Sequence, residues 1–187
     1  MHRLAFAALG LFTVWITWEA KRLEGGLRED SGTAMVGKQA PGFTLDQWNG
    51  GKVSLDSFRG KNVALVFWAS WCGPCRLELP LLKEFYKKAR PMRDDFEVLA
   101  ISIDEFADAA EGAAANMKLP FPVLLKGEKV SYAYGVGSIP QMIFVDKTGK
   151  VTFGQVGFNM AMDGVLAAQF HLDPKVFLKG ANGATGN

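Results

Sequence analysis

The chain has 187 residues, 49% of them hydrophobic and 12% aromatic, with a formal net charge of +2. That length suits one domain with extensions, the apolar content supplies a packed core, and the near-neutral balance without a basic block points away from nucleic acid. Two cysteines exclude a disulfide scaffold, and a structural zinc site, which needs about four ligands, would have only the distant His2 and His171 to add to them.

Leu4 to Trp18 is an uncharged run preceded by His2 and Arg3. As a helix it spans about 23 Å, short of a bilayer core of about 30 Å. That suits a signal-peptide apolar region or a short anchor. A cut after Ala20 would put Trp18 where a small residue is wanted. Residues 1–20 therefore read as an uncleaved anchor, with Trp15 and Trp18 at the far interface. A cleaved signal peptide or a buried helix are the alternatives. Lys21, Arg22 and Arg28 follow the run and favour a cytoplasmic domain by the positive-inside tendency. An N-terminal export signal argues the reverse, and a domain facing the periplasm or another extracytoplasmic space is expected. Residues 21–35, charged and Gly-rich, read as a flexible tether. The folded domain is expected over 36–178, with 179–187 a loose tail.

Within the domain, Ala40 to Leu45 reads as extended, Asn49-Gly50-Gly51 as a turn, and Lys52 to Leu55 as a strand, together a hairpin. Asp56 to Lys61 is a loop with one helical turn. Val63 to Trp68 is a continuous apolar run, as in a strand covered on both faces. A helix follows, with Leu77, Leu81, Leu82, Phe85 and Ala89 expected on its buried face and Pro80 kinking it. Phe96 to Ile103 is a second buried strand and Phe106 to Met117 a helix. Phe121 to Leu125 is a short strand whose Pro122 marks an edge or a start. Glu128 to Tyr134 is a helix, and Met142 to Val145 and Val151 to Val156 form an antiparallel pair. Met162, Val165, Leu166 and Phe170 mark a last helix. Strands alternating with helices predict an α/β fold with a mixed central sheet flanked by helices.

Between the first buried strand and its helix lies Trp71-Cys72-Gly73-Pro74-Cys75, which holds both cysteines. A thiol attacks as its thiolate, scarce at neutral pH when its pKa is about 8.5. A helix N-terminus, with its unpaired N–H groups and positive dipole end, favours the anion. Cys72 stands there and is the expected nucleophile. Cys75, one turn further in and more shielded, is expected to resolve the mixed disulfide. Gly73 lets backbone pass near a substrate, and Pro74 starts the helix without losing a needed N–H. Two thiolates also suit Cu(I), with Met160 and Met162 as further soft ligands, so a copper-binding or chaperone module is an alternative.

The five-residue motif is identical to the active-site motif of thioredoxin. Pro80 resembles the proline inside thioredoxin's active-site helix, and Ser138-Ile139-Pro140 resembles its cis-proline loop. The resemblance implies a thioredoxin-like fold, a cis Ile139–Pro140 bond, and an Ile139 backbone free to pair with a bound substrate strand. Three further features resemble the TlpA/ResA branch of membrane-tethered, exported thioredoxin-like reductases. They are the run Val36 to Leu45 with its N-terminal hairpin, the run Cys75-Arg76-Leu77-Glu78-Leu79-Pro80, and a helix–strand insert between Asp104 and Pro140. Two departures stand out: Val66 replaces thioredoxin's buried Asp, and Ala100 its Lys. Glu78, one turn beyond Cys75, is then a candidate proton relay, although a solvated helix-face position is expected for it. Gly73-Pro74 and Gln141 hold the places where cytochrome c maturation reductases often carry an acid.

The resemblance implies a thiol–disulfide oxidoreductase that reduces disulfides in exported proteins, apocytochrome c among the candidates. It needs no cofactor beyond the Cys72–Cys75 disulfide and is recharged by a membrane thiol reductant. A thiol peroxidase of related fold is the enzymatic alternative, but its P-x-x-x-[ST]-x-x-C pattern meets Leu65 and Ala69 here.

Overall fold

The computed structural model describes residues 34–178. Strand β3 (Asn62–Trp68), buried at every position, forms the centre of a five-stranded sheet. It runs parallel to β4 (Phe96–Ser102) and antiparallel to β6 (Gln141–Val145). The short β5 (Val123–Leu124) lies outside β4 and β7 (Val151–Val156) outside β6, giving the order β5-β4-β3-β6-β7. An apolar strand with no polar side survives only between two covered faces. One face carries α1 (Gly73–Ala89), α2 (Ala107–Met117), α4 (Met162–Gln169) and α5 (Pro174–Leu178). The other carries α3 (Glu128–Ala133) and the hairpin of β1 (Thr44–Asp46) and β2 (Lys52–Ser54).

The hairpin segment also shields both sheet edges, whose unpaired backbone groups would otherwise invite pairing. Beside β5, the Trp48 N–H donates to Val123 C=O at 2.9 Å, and the Leu125 N–H donates to Asp46 C=O at 2.9 Å. At the opposite edge, the Gly37 N–H donates to Val151 C=O at 2.8 Å and the Val151 N–H to Lys38 C=O at 2.9 Å. Beneath α1, Phe170 stacks on Phe96 with ring centroids 4.5 Å apart and lies near Phe85 and Phe144 at 6.2 and 5.7 Å. This aromatic cluster joins α1, β4, β6 and the end of α4.

The mixed sheet, the hairpin and the order of elements match the sequence-based expectation. The phase of α1 does not. Leu77 and Leu81 are 63% and 44% exposed, and the buried positions are Cys75, Glu78, Leu79, Leu82, Phe85, Tyr86 and Ala89. A helix lying on a sheet buries one stripe at i, i+3, i+4 and i+7. The stripe through Leu82, Phe85 and Ala89 runs back to Glu78 and Cys75, not to Leu77. Pro80 lies inside this continuous helix. Helix α5 has no counterpart in the sequence reading; its Phe177 packs on Phe85 at 4.7 Å, with Lys88 Nζ 5.0 Å above the ring. The anchor, most of the tether and the tail fall at 1–33 and 179–187, outside the described residues, among which no helix is long and apolar enough to cross a membrane.

Candidate active site

The site forms where β3 ends and α1 begins. Cys72 is the N-cap of α1, in extended conformation, and its Sγ accepts the Cys75 N–H at 3.2 Å. The two cysteines form a disulfide, with Cα atoms 5.3 Å apart. Cys72 is 5% exposed and Cys75 is fully buried. Gly73 and Pro74, in the first turn, are exposed. A Cβ on Gly73 would meet no atom within 4 Å, so the space in front of it is open.

Trp71 is 69% exposed beside the disulfide. It lines a cleft of about 330 Å³ together with Ile103, Val136, Gly137, Ser138 and Ile139. The Ile139–Pro140 bond is cis, as the resemblance implied. Among the described residues, neither the N–H nor the C=O of Ile139 enters a backbone hydrogen bond. The structure thus brings Trp71, Ile139 and both cysteines to one end of the sheet, with unused main-chain groups along the cleft wall.

Glu78 is not the solvated carboxylate expected from sequence. It is 1% exposed, its Oε2 lacks a hydrogen-bond partner among the described residues, and burial pushes its carboxyl pKa up to about 7. Desolvation alone does this, since the charged form loses water and gains no cation. Cys75 and Glu78 are i and i+3 neighbours on the buried stripe, the spacing at which helical side chains meet. The period of Leu82, Phe85 and Ala89, traced one turn back, was the available sequence signal.

Val66 and Ala100, which replace thioredoxin's Asp and Lys, face each other across the β3–β4 ladder and are both fully buried. The exchange removes acid and base together, so neither charge is left orphaned. Gln141, directly after the cis proline, is fully buried, and both its side-chain polar atoms lack partners among the described residues. Nothing in the local sequence pattern marks it. Met162 is core and Met160 is 88% exposed, so the two do not converge as soft ligands. Among the described residues no group of three or more His, Cys, Asp or Glu side chains could hold a metal.

Central β3, the dithiol at the head of α1 and the cis-proline loop define a thioredoxin-like protein. The chain belongs to the AhpC/TSA family, whose model matches residues 36–153. Thiol-disulfide oxidoreductase ResA of Bacillus thuringiensis is 36% identical over 133 residues, covering 71% of this chain and 76% of that protein. Among solved structures, the exposed lipoprotein thioredoxin Etrx1 of Streptococcus pneumoniae superposes with a TM-score of 0.61 at 32% identity, over 71% of this chain and 100% of that one. One from Chlorobium tepidum, described as a thiol:disulfide interchange protein DsbE, gives 0.64 at 33% identity, over 70% and 92%. The chain is a thiol–disulfide oxidoreductase of the ResA type.

Proposed function

We propose that the chain reduces disulfides of exported proteins through a Cys72/Cys75 cycle. The asymmetry of the pair carries this reading: Cys72 caps the helix and keeps 5% of its surface exposed, next to the exposed Trp71 and Gly73, while Cys75 is sealed one turn inside. In the reduced protein the Cys72 thiolate attacks one sulfur of the substrate disulfide. A mixed disulfide forms, and the other substrate sulfur leaves as a thiolate and takes up a proton. Cys75 then gives its proton to Glu78 and attacks Cys72 Sγ. The mixed disulfide breaks, the second substrate thiolate leaves, and the Cys72–Cys75 disulfide remains, two electrons having passed to the substrate. A carboxylate with pKa about 7 suits this transfer at neutral pH.

Trp71, Gly73, Pro74, Ile139 and Pro140 are the substrate-binding residues in this reading. The open space before Gly73 and the unpaired Ile139 main chain support an extended substrate segment laid across the dithiol. The Gly-Pro pair resembles thioredoxin's, whose potential is about −270 mV, so the dithiol acts as a reductant. A reductant outside the cytoplasm must be recharged, and a membrane thiol reductant is the implied donor for a domain held by residues 1–20. Haem-site cysteines of apocytochrome c are a candidate substrate, which would place the protein in cytochrome c maturation.

The test is reduction of a protein disulfide by the purified chain with dithiothreitol as donor, alongside Cu(I) titration. Catalytic reduction without stoichiometric copper uptake supports the reading. Copper uptake without reduction contradicts it and favours a copper-binding module. Peroxide turnover without disulfide reduction would favour a peroxidase, for which Leu65 and Ala69 are the wrong residues.

A further inference from the structure

The parallel pairing of β3 with β4 ends at Trp68 and Ser102, and the Ile103 N–H still donates to Trp68 C=O at 2.9 Å. Beyond that point the strands diverge, since β3 must turn out toward α1. The first amides past the end of a ladder lose their partners, and a half-buried amide without one is costly. Here a side chain takes over. The Ser70 N–H donates to both carboxylate oxygens of Asp104, at 3.1 and 2.9 Å. The Ser70 hydroxyl donates to Asp104 Oδ1 at 2.6 Å and the Ser102 hydroxyl to Oδ2 at 2.8 Å. The Ser102 oxygen in turn accepts the Asp104 N–H at 3.0 Å.

Asp104 is 4% exposed, and none of the ion pairs among the described residues includes it. A buried carboxylate without a cation persists only when donors saturate it, and these donors are drawn from two strand ends. They hold Ser70 two residues before Cys72, inside a turn closed by the Cys72 N–H donating to Ala69 C=O at 3.1 Å. Trp71 stands between the held residue and the sulfur.

We propose that Asp104 is a positioning residue for the dithiol: by gripping Ser70 it fixes the turn from which Cys72 Sγ meets the first amides of α1. The anion-stabilising field of a helix end fades within one turn, so small displacements of the sulfur matter. Asp104 does not touch substrate; it acts through Ser70. The inference rests on the dithiol reading above, but its test does not depend on turnover.

Cys72 and Cys75 are the only cysteines, so in a Cys75→Ser background the ultraviolet thiolate absorbance reports Cys72 alone. The full-length chain carrying Asp104→Ala or Ser70→Ala in that background is titrated, with circular dichroism and thermal midpoint recorded in parallel. The expected result is a native spectrum and a Cys72 titration moved to higher pH by roughly one unit for Asp104→Ala, with a smaller move the same way for Ser70→Ala. The rate of attack on a small disulfide at neutral pH falls roughly two- to fourfold with it, the smaller thiolate fraction being partly offset by the greater nucleophilicity of the more basic thiolate. A move to lower pH would mean that Asp104 acts only as a repelling like charge. An unmoved titration with a lowered midpoint would mean a purely structural clamp. Either overturns the proposal. Should Asp104→Ala not fold, Asp104→Asn and Ser70→Ala decide it by the same criteria. If the wild-type chain fails to reduce protein disulfides, the functional reading falls while this comparison still stands.

Discussion

Glu78 shows how one residue's surroundings set its chemistry. The same carboxyl on the outer face of α1 would titrate as an ordinary acid and do nothing for Cys75. Turned inward, with its pKa raised to about 7, it takes up and releases a proton in the neutral range. The sign for stability follows. The folded protein keeps this proton more tightly than the unfolded chain, so the group's contribution is fully present below its ordinary value of 4.5 and is lost as pH rises through about 7. Glu78→Gln removes that dependence. Denaturant titrations at several pH values are expected to show the variant gaining up to about 3 kcal/mol on the wild type between acid and weakly alkaline pH. A constant difference would mean that Glu78 is not buried as an acid. In single-turnover kinetics the same variant still forms mixed disulfides, but their resolution slows roughly 100-fold. Neither the burial of Glu78 nor the Asp104–Ser70 contact was legible residue by residue. A carboxylate on a helix is normally solvated, and no local pattern joins residues 34 positions apart.

At the level of elements, the sequence was most legible where one physical demand dominates. The apolar run of β3 admits only a strand covered on both faces, and the turn residues Asn49 to Gly51 admit a hairpin. Helix α1 was legible as a helix but not in its phase, because Leu77 and Leu81 are apolar side chains left in solvent and nothing in a leucine says which side it faces. Helix α5 spans five residues, too few to display a period. What holds these elements together is the aromatic cluster at Phe170, which is 1% exposed. Phe170→Ala is expected to cost about 3–5 kcal/mol, through lost burial plus the cavity left behind. Urea unfolding measures this as a lower midpoint at an unchanged slope. The native contacts of the dithiol lie at the other end of α1, so reactivity of the folded fraction stays near wild type. A cost under about 1 kcal/mol would mean that neighbouring rings close the gap.

For the whole molecule, the fold and the dithiol were legible together because a strand, a C-x-x-C at a helix start and a proline before the next central strand recur as one unit. The side of the membrane was not, since flanking charges and export logic disagree there. An alkaline phosphatase fusion after Met35 separates them: an active fusion is expected, and an inactive one would place the domain in the cytoplasm. A redox titration of the Cys72–Cys75 pair is expected to fall near about −270 mV, while a value near about −120 mV would make the protein an oxidant. The most direct test of the central claim is covalent trapping. Cys75→Ser, expressed in the native cell, is expected to carry disulfide-linked exported proteins on Cys72, whereas Cys72→Ser carries none and is inactive. If Cys75→Ser captured no partner while Cys72→Ser captured one, the attacking and resolving roles at the head of α1 would be reversed.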